Sequence, residues 1–229
     1  LAAGHSLGEF SALVSSGCLT FADAVHLVRQ RGTFMQEAVP VGIGAMAAII
    51  GLTLDRVQEL CDQITSPENI VQPANLNSPE QIVIAGHKEA VEKLCQAAKP
   101  AGAKRSVLLP VSAPFHSSLM KPAEVRLKEE LDKTEFRDME VPVISNVDAT
   151  PKTRGDDARQ ALVQQVCAPV RWVETMQVLV DKEIEAVIEI GSGRVLSGLM
   201  RRFNSNVQCY QVGDPESLKN TVSEIKKAD

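Results

Sequence analysis

Apolar and polar positions alternate at helical spacing from Glu9 to Ser16 and again up to about Ala38, the second run opening on Thr20-Phe21-Ala22-Asp23, a capping-box pattern with Asp in place of Glu. Pro40, Gly42 and Gly44 end that rhythm, and the period then changes. Ala45 to Gly51 reads as a short apolar strand and Leu54 to Ile64 as a helix. Ile70 to Asn75 and Gln81 to Ala85 read as strands on either side of the Asn77-Ser78-Pro79 turn, followed by a helix over Glu89 to Ala98 and a strand over Arg105 to Pro110. This βαββαβ order is the ferredoxin-like signature. Residues 42–112 are therefore expected to form a small domain inserted into a larger one made of residues 1–41 and 113–229.

Past the insert come a loop (Ser112 to Ser117), a helix (Leu119 to Lys133) and a strand (Val141 to Asn146). Helices near Asp156 to Gln165 and Trp172 to Val180 follow, then strand Ala186 to Ile190, helix Val195 to Phe203, strand Val207 to Val212 and a terminal helix from Pro215. Strands alternating with helices imply an α/β protein with a mainly parallel sheet in the larger domain. No internal repeat or low-complexity tract interrupts the pattern.

Composition narrows the classes. At 229 residues with 44% apolar content the chain can bury a real core. A net charge of -5 gives no basic field for nucleic acid or an anionic membrane, and no apolar run approaches the roughly 20 residues that span a bilayer. Five cysteines (Cys18, Cys61, Cys95, Cys167, Cys209), odd in number and without a C-x-x-C pair, point to reduced thiols and a cytoplasmic compartment rather than to a disulfide or zinc framework.

Chemistry enters at the start of the chain. Gly4-His5-Ser6-Leu7-Gly8 is a G-x-S-x-G pattern, which in α/β hydrolases forms a sharp turn between a core strand and a helix. Almost no strand precedes it, so the native protein is expected to continue upstream of Leu1. The pattern arises by accident in about one chain in a dozen of this length, taking glycine and serine near 7% each. Two readings stay open from the residues alone: a nucleophilic Ser6 with the Leu7 N–H facing a developing oxyanion, or a glycine-flanked turn with an inert serine.

A serine nucleophile needs a base, most often histidine. His5 sits on the tight turn and should point elsewhere, His26 is in mid-helix among polar neighbours, and His87 opens a helix; all three read more readily as surface residues. His116, in the irregular segment Pro114-Phe115-His116-Ser117-Ser118 after a strand, is the best candidate. Asp148 could complete a triad but reads more simply as a turn residue. Gly191-Ser192-Gly193 could bind an anion through backbone N–H groups, although a plain turn is the simpler reading. Met35, Met46 and Trp172 read as core.

Several stretches together carry a resemblance over nearly the whole chain: Gly4-His5-Ser6-Leu7-Gly8-Glu9, Arg31-Gly32, Phe34 to Pro40, Gly44-Ala45-Met46-Ala47, Asn77-Ser78-Pro79, Ile84-Ala85-Gly86-His87, Leu119-Met120-Lys121-Pro122, Asn146-Val147-Asp148 and Pro169-Val170-Arg171-Trp172. They resemble the bacterial-type malonyl-CoA:acyl carrier protein transacylases. The resemblance implies an α/β-hydrolase-like large domain with an inserted ferredoxin-like small one. It implies malonyl transfer to the pantetheine thiol of acyl carrier protein in fatty acid biosynthesis; a monomer is expected. On this resemblance Ser6 is the nucleophile, His116 the base, Leu7 the oxyanion donor and Arg31 the partner of the malonyl carboxylate. Gln165 then orients the histidine through its backbone carbonyl, which makes a dyad and demotes Asp148. CoA and phosphopantetheine enter as parts of substrates, so no metal or other cofactor is implied. Phe115 resembles the pattern of malonyl-selective domains, whereas Ser192 departs from a frequent proline. A serine thioester hydrolase, or a non-catalytic acyl-carrier-binding module, is the alternative.

Acyl carrier proteins are usually acidic, so an acidic partner enzyme needs a local basic patch. Lys104, Arg105, Arg201 and Arg202, with Lys121 and Arg194, are the candidates.

Overall fold

The computed structural model describes residues 1–111 and 113–228; Ser112, where the expected loop begins, lies outside the described residues. Strand β1 (Ala2–Ala3) turns abruptly into helix α1 (Leu7–Ser15), and α2 (Phe21–Glu37) follows. The α2 start is fixed as its sequence suggests: Thr20 Oγ1 accepts from the Asp23 N–H at 3.1 Å and bonds the Asp23 carboxylate at 2.5 Å. Next come β2 (Gly44–Ile50), α3 (Leu54–Ile64), β3 (Val71–Ser78), β4 (Gln81–His87), α4 (Lys88–Ala98) and β5 (Arg105–Leu108). These four strands form one antiparallel sheet in the order β3-β4-β2-β5, the ferredoxin-like arrangement, with Met46 opposite Ala85 and Ile49 opposite Ser106. Its apolar side packs Ile49, Ile82 and Ile84 against Val57 and Leu60 of α3 and Val91 and Leu94 of α4.

A short 3₁₀ turn (Ser118–Met120) leads into α5 (Lys121–Lys133), followed by β6 (Val143–Ile144), β7 (Pro151–Lys152), α6 (Gly155–Gln165) and α7 (Trp172–Asp181). β1 pairs parallel with β6, and β7 adds antiparallel. A second apolar cluster joins Phe10 and Leu13 of α1, Leu27 and Met35 of α2, Leu127 and Leu131 of α5 and Leu162 of α6. Truncating any one of these leucines should cost about 2–5 kcal/mol.

Chain contacts divide the molecule into a unit from Leu1 to Thr175 and a second from Met176 onward. The second unit holds β8 (Ala186–Ile190), α8 (Val195–Phe203), β9 (Gln208–Val212) and α9 (Pro215–Ala228), with β8 and β9 parallel. The Glu189 carboxylate accepts from the N–H groups of Leu196 and Ser197 at 3.1 and 2.8 Å, so the protein's own side chain occupies the N-terminal donors of α8. Gly191 and Gly193 have φ of 136° and 92°, the geometry of a tight turn.

Two expectations shift. The strand expected over Val141 to Asn146 pairs only at Val143–Ile144: the Ser145 N–H bonds the Thr150 carbonyl at the end of the β6–β7 pairing, and the Asn146 N–H turns to the Glu9 carboxyl instead of a ladder. The three histidines read as surface residues are not alike. His26 is exposed, but His5 and His87 are half-buried and bonded, His5 Nε2 to Asn77 Oδ1 at 2.8 Å and His87 Nδ1 accepting from the Ile70 N–H at 3.0 Å. Met35, Met46 and Trp172 are buried.

Candidate active site

The β1–α1 turn holds Ser6 at φ 53° and ψ -107°, a conformation a non-glycine residue adopts only under constraint. One constraint is steric. A Cβ on Gly4 would lie 1.9 Å from the Gly8 carbonyl oxygen, whereas a Cβ on Gly8 would meet nothing within 4 Å. The two glycines of the motif thus do different work. Gly4→Ala is expected to destabilise the protein by about 1–3 kcal/mol or break the turn, while Gly8→Ala in the first turn of α1 should be neutral or stabilising by about 0.5–1 kcal/mol. Thermal melting of the two variants checks this contrast.

The second constraint is polar. The Ser6 N–H donates to Asn146 Oδ1 at 2.7 Å, and Asn146 Nδ2 donates to the Gly4 carbonyl at 2.8 Å, so one buried amide clamps both sides of the turn. With the Ser6 N–H taken, the Leu7 N–H at the start of α1 carries no hydrogen bond among the described residues.

The Ser6 hydroxyl stands 2.7 Å from His116 Nε2. His116 lies in the loop between β5 and α5 at φ 60°, and its Nδ1 is 2.8 Å from the backbone carbonyl of Gln165 at the end of α6. A carbonyl can only accept, so Nδ1 carries the proton and Nε2 offers its lone pair to the serine. His116 is buried; burial first, then the Arg31 charge, push its pKa down to about 3 against the Gln165 hydrogen bond, which raises it. The imidazole is neutral near pH 7.

Arg31, on α2 and 8% exposed, places Nη2 2.9 Å from Ser6 Oγ and 3.1 Å from Gln165 Oε1, with its guanidinium carbon 6.0 Å above the Phe10 ring. Burial lowers its pKa to about 10 and Glu9 opposes that, so it stays charged at neutral pH. Its buried Nε has no hydrogen-bond partner among the described residues. A buried, charged fork with a spare donor beside the serine suits a carboxylate.

Ser6, His116, Arg31, Gln165 and Leu7 therefore converge within the first unit. Asp148 does not join them, being held by Lys152 Nζ at 2.5 Å and by Thr150. Three participants escaped the sequence reading: Glu9, the side chain of Asn146 and the side chain of Gln165. Glu9 is 2% exposed, and its Oε2 accepts from Gln165 Nε2 at 2.8 Å and the Asn146 N–H at 3.1 Å. Burial raises its carboxyl to about 7, opposed by those hydrogen bonds and by Arg31. The available signal was spacing, because Glu9 lies three residues after Ser6 on the same helix face.

A strand–elbow–helix turn that sets a serine hydroxyl against an imidazole and a buried guanidinium is the geometry of serine acyl transfer. The chain belongs to the acyl transferase domain family, whose model matches residues 1–222. Within that class its relatives are malonyl CoA-acyl carrier protein transacylases. The one from Bacillus subtilis is 48% identical over 225 residues, covering 98% of this chain and 71% of its own length. The one from Escherichia coli is 49% identical over 216 residues, covering 94% and 70%. Among solved structures, the malonyl CoA-acyl carrier protein transacylase of Clostridium perfringens matches with a TM-score of 0.95 at 41% identity, over 100% of this chain and 72% of that one. A malonyl-transacylase in complex with its type II PKS acyl-carrier protein matches with a TM-score of 0.94 at 46% identity, over 98% and 72%.

Proposed function

We propose that this acyltransferase moves a malonyl group from malonyl-CoA to the pantetheine thiol of an acyl carrier protein through a malonyl ester on Ser6. The observation that carries the reading is a single oxygen, Ser6 Oγ, lying 2.7 Å from the His116 lone pair and 2.9 Å from Arg31 Nη2. His116 takes the hydroxyl proton as Ser6 Oγ attacks the thioester carbonyl. The Leu7 N–H receives the oxyanion. On collapse the C–S bond breaks, His116 returns its proton to the departing CoA sulfur, and malonyl-Ser6 remains. The carrier's thiol then gives its proton to His116, attacks the ester and leaves with the malonyl group, while Ser6 recovers its proton. Arg31 holds the distal carboxylate throughout. Nucleophile, base and oxyanion donor all belong to the chain, so the reaction as written calls on no cofactor.

Intact-mass spectrometry after brief exposure to malonyl-CoA tests the reading. The expected result is one malonyl adduct that carrier thiol discharges far faster than water does. Fast release as free malonate would make the protein a hydrolase, and no adduct would make it a non-catalytic binding module.

The βαββαβ sheet with its own apolar cluster supports a division into residues 1–41 with 113–229 as catalytic domain and 42–112 as insert. Five free thiols support a reducing, cytoplasmic setting, and no helix among the described residues is long and apolar enough to cross a membrane.

For carrier docking the six basic residues are not equivalent. Lys104 is paired with Glu80 at 2.8 Å, Lys121 with Glu124, and Arg201 donates to the Cys209 carbonyl at 2.7 Å. Arg202 is exposed at the end of α8. Arg202→Glu is expected to slow discharge to an acidic carrier severalfold and flatten its salt dependence while leaving Ser6 acylation unchanged. Single-turnover rates of the two half-reactions at two salt concentrations measure this.

A further inference from the structure

Glu9 is a buried carboxyl outside the chemistry written above. It sits on α1, one turn past Ser6, and spends one oxygen, Oε2, on two donors: Gln165 Nε2 and the Asn146 N–H. An oxygen that receives two N–H donors acts only as an acceptor, whether the carboxyl is ionised or holds its proton on Oε1. It therefore dictates which end of the Gln165 amide faces it, and the NH2 end also reaches the Ser6 carbonyl at 3.0 Å. The opposite end, Oε1, is then presented to Arg31 Nη2. Were the amide turned over, its NH2 would face a guanidinium, donor against donor. The same carboxylate steadies Asn146, whose side chain holds the Ser6 N–H and the Gly4 carbonyl.

We propose that Glu9 is a positioning residue for acyl-group selection: its carboxylate fixes the direction of the Gln165 amide, and the amide in turn aims Arg31 at the carboxylate of the incoming acyl group. This rests on the functional reading above, in which Arg31 receives the malonyl carboxylate. Glu9 touches no reacting atom, and its effect passes through Gln165. Burial raises the Glu9 carboxyl to about 7, and the two donated hydrogen bonds with the Arg31 charge oppose that rise and favour the ionised form.

The experiment compares single-turnover acylation of Ser6 by malonyl-CoA and by acetyl-CoA in the native protein, Glu9→Gln, Glu9→Asp, Gln165→Leu and the double variant Glu9→Gln/Gln165→Leu, with thermal melting of each. Gln165→Leu keeps the backbone carbonyl that orients His116 and removes only the amide. Glu9→Gln can keep an acceptor but no longer enforces the amide direction, and Glu9→Asp keeps the charge while withdrawing it by one methylene. Both are expected to narrow the malonyl-to-acetyl rate ratio about tenfold, chiefly through the malonyl rate. In the Gln165→Leu background Glu9→Gln should change the ratio no further. A lowered melting temperature with an unchanged ratio in both Glu9 variants overturns the proposal, because that is a structural role alone. A full additional effect in the double variant overturns it too, since Glu9 would then act on Arg31 directly through its charge. Failure to form any malonyl adduct in the native protein is a different result, which overturns the functional reading itself and this inference with it.

Discussion

Ser6→Ala is expected to abolish the malonyl adduct, and His116→Ala to slow its formation about 10²–10⁴-fold, the usual worth of general-base assistance. The two differ because they remove different things. Without Ser6 Oγ no oxygen lies on both the His116 lone pair and the Arg31 guanidinium, so there is nothing to acylate in the site. Without His116 the hydroxyl keeps its bond from Arg31 Nη2, which favours developing negative charge on oxygen, but it has lost the group that takes its proton. His116→Ala also leaves the Gln165 carbonyl without its donor in a buried place, a cost of about 1–3 kcal/mol in stability that melting would reveal separately from rate. Stopped-flow acylation with mass detection of the adduct checks both. An adduct forming at native speed in either variant would remove that residue from its role.

Much of the molecule could be read from local pattern. The Thr20–Asp23 cap, helix Leu54–Ile64, strand Ala186–Ile190 and helix Val195–Phe203 occur where the sequence puts them, since each is set by residues within one or two turns of itself. The strand at Val143–Ile144 is shorter than its apolar run because Asn146 serves a distant turn, and the Pro151–Lys152 strand is too brief for any alternation. The same limit governs the site. Ser6 and His116 stand out as motif and as loop histidine, and the roles of Arg31 and Gln165 came from family resemblance. Glu9 could not be placed, because its partners Asn146 and Gln165 are 137 and 156 residues away along the chain. Only the fold shows that this acidic residue of an amphipathic helix faces inward beside Phe10 and Leu13.

Arg31→Ala is expected to slow malonyl acylation about 10–150-fold, the equivalent of about 1.5–3 kcal/mol for a charge-assisted hydrogen bond, while acetyl acylation falls less, so that the malonyl-to-acetyl ratio narrows. Loss of the carboxylate's partner explains the first half. The second half follows from the base. Arg31 is, after burial, the main cause of the low His116 pKa, so in the free enzyme the imidazole is a weak proton acceptor. On the proposed role of Arg31, a malonyl carboxylate would offset that charge and raise the His116 pKa, whereas a neutral acetyl group would leave the guanidinium uncompensated. Binding of the malonyl group would thereby strengthen the base that deprotonates Ser6, and discrimination is expected in the rate of acylation as well as in affinity. Removing the guanidinium relieves the base for either substrate and so partly offsets the lost hydrogen bond to Ser6 Oγ, which is why the acetyl rate should fall less than the malonyl rate. Arg31→Lys should recover the malonyl preference only in part, because an ammonium lacks the planar fork. The variant also leaves Glu9 without its opposing charge, so the carboxyl should rise above about 7 and a modest loss of melting temperature should accompany the change in rates. Single-turnover acylation with both thioesters measures the ratio, and parallel loss of the two rates in Arg31→Ala would show that Arg31 supports the site without selecting the acyl group.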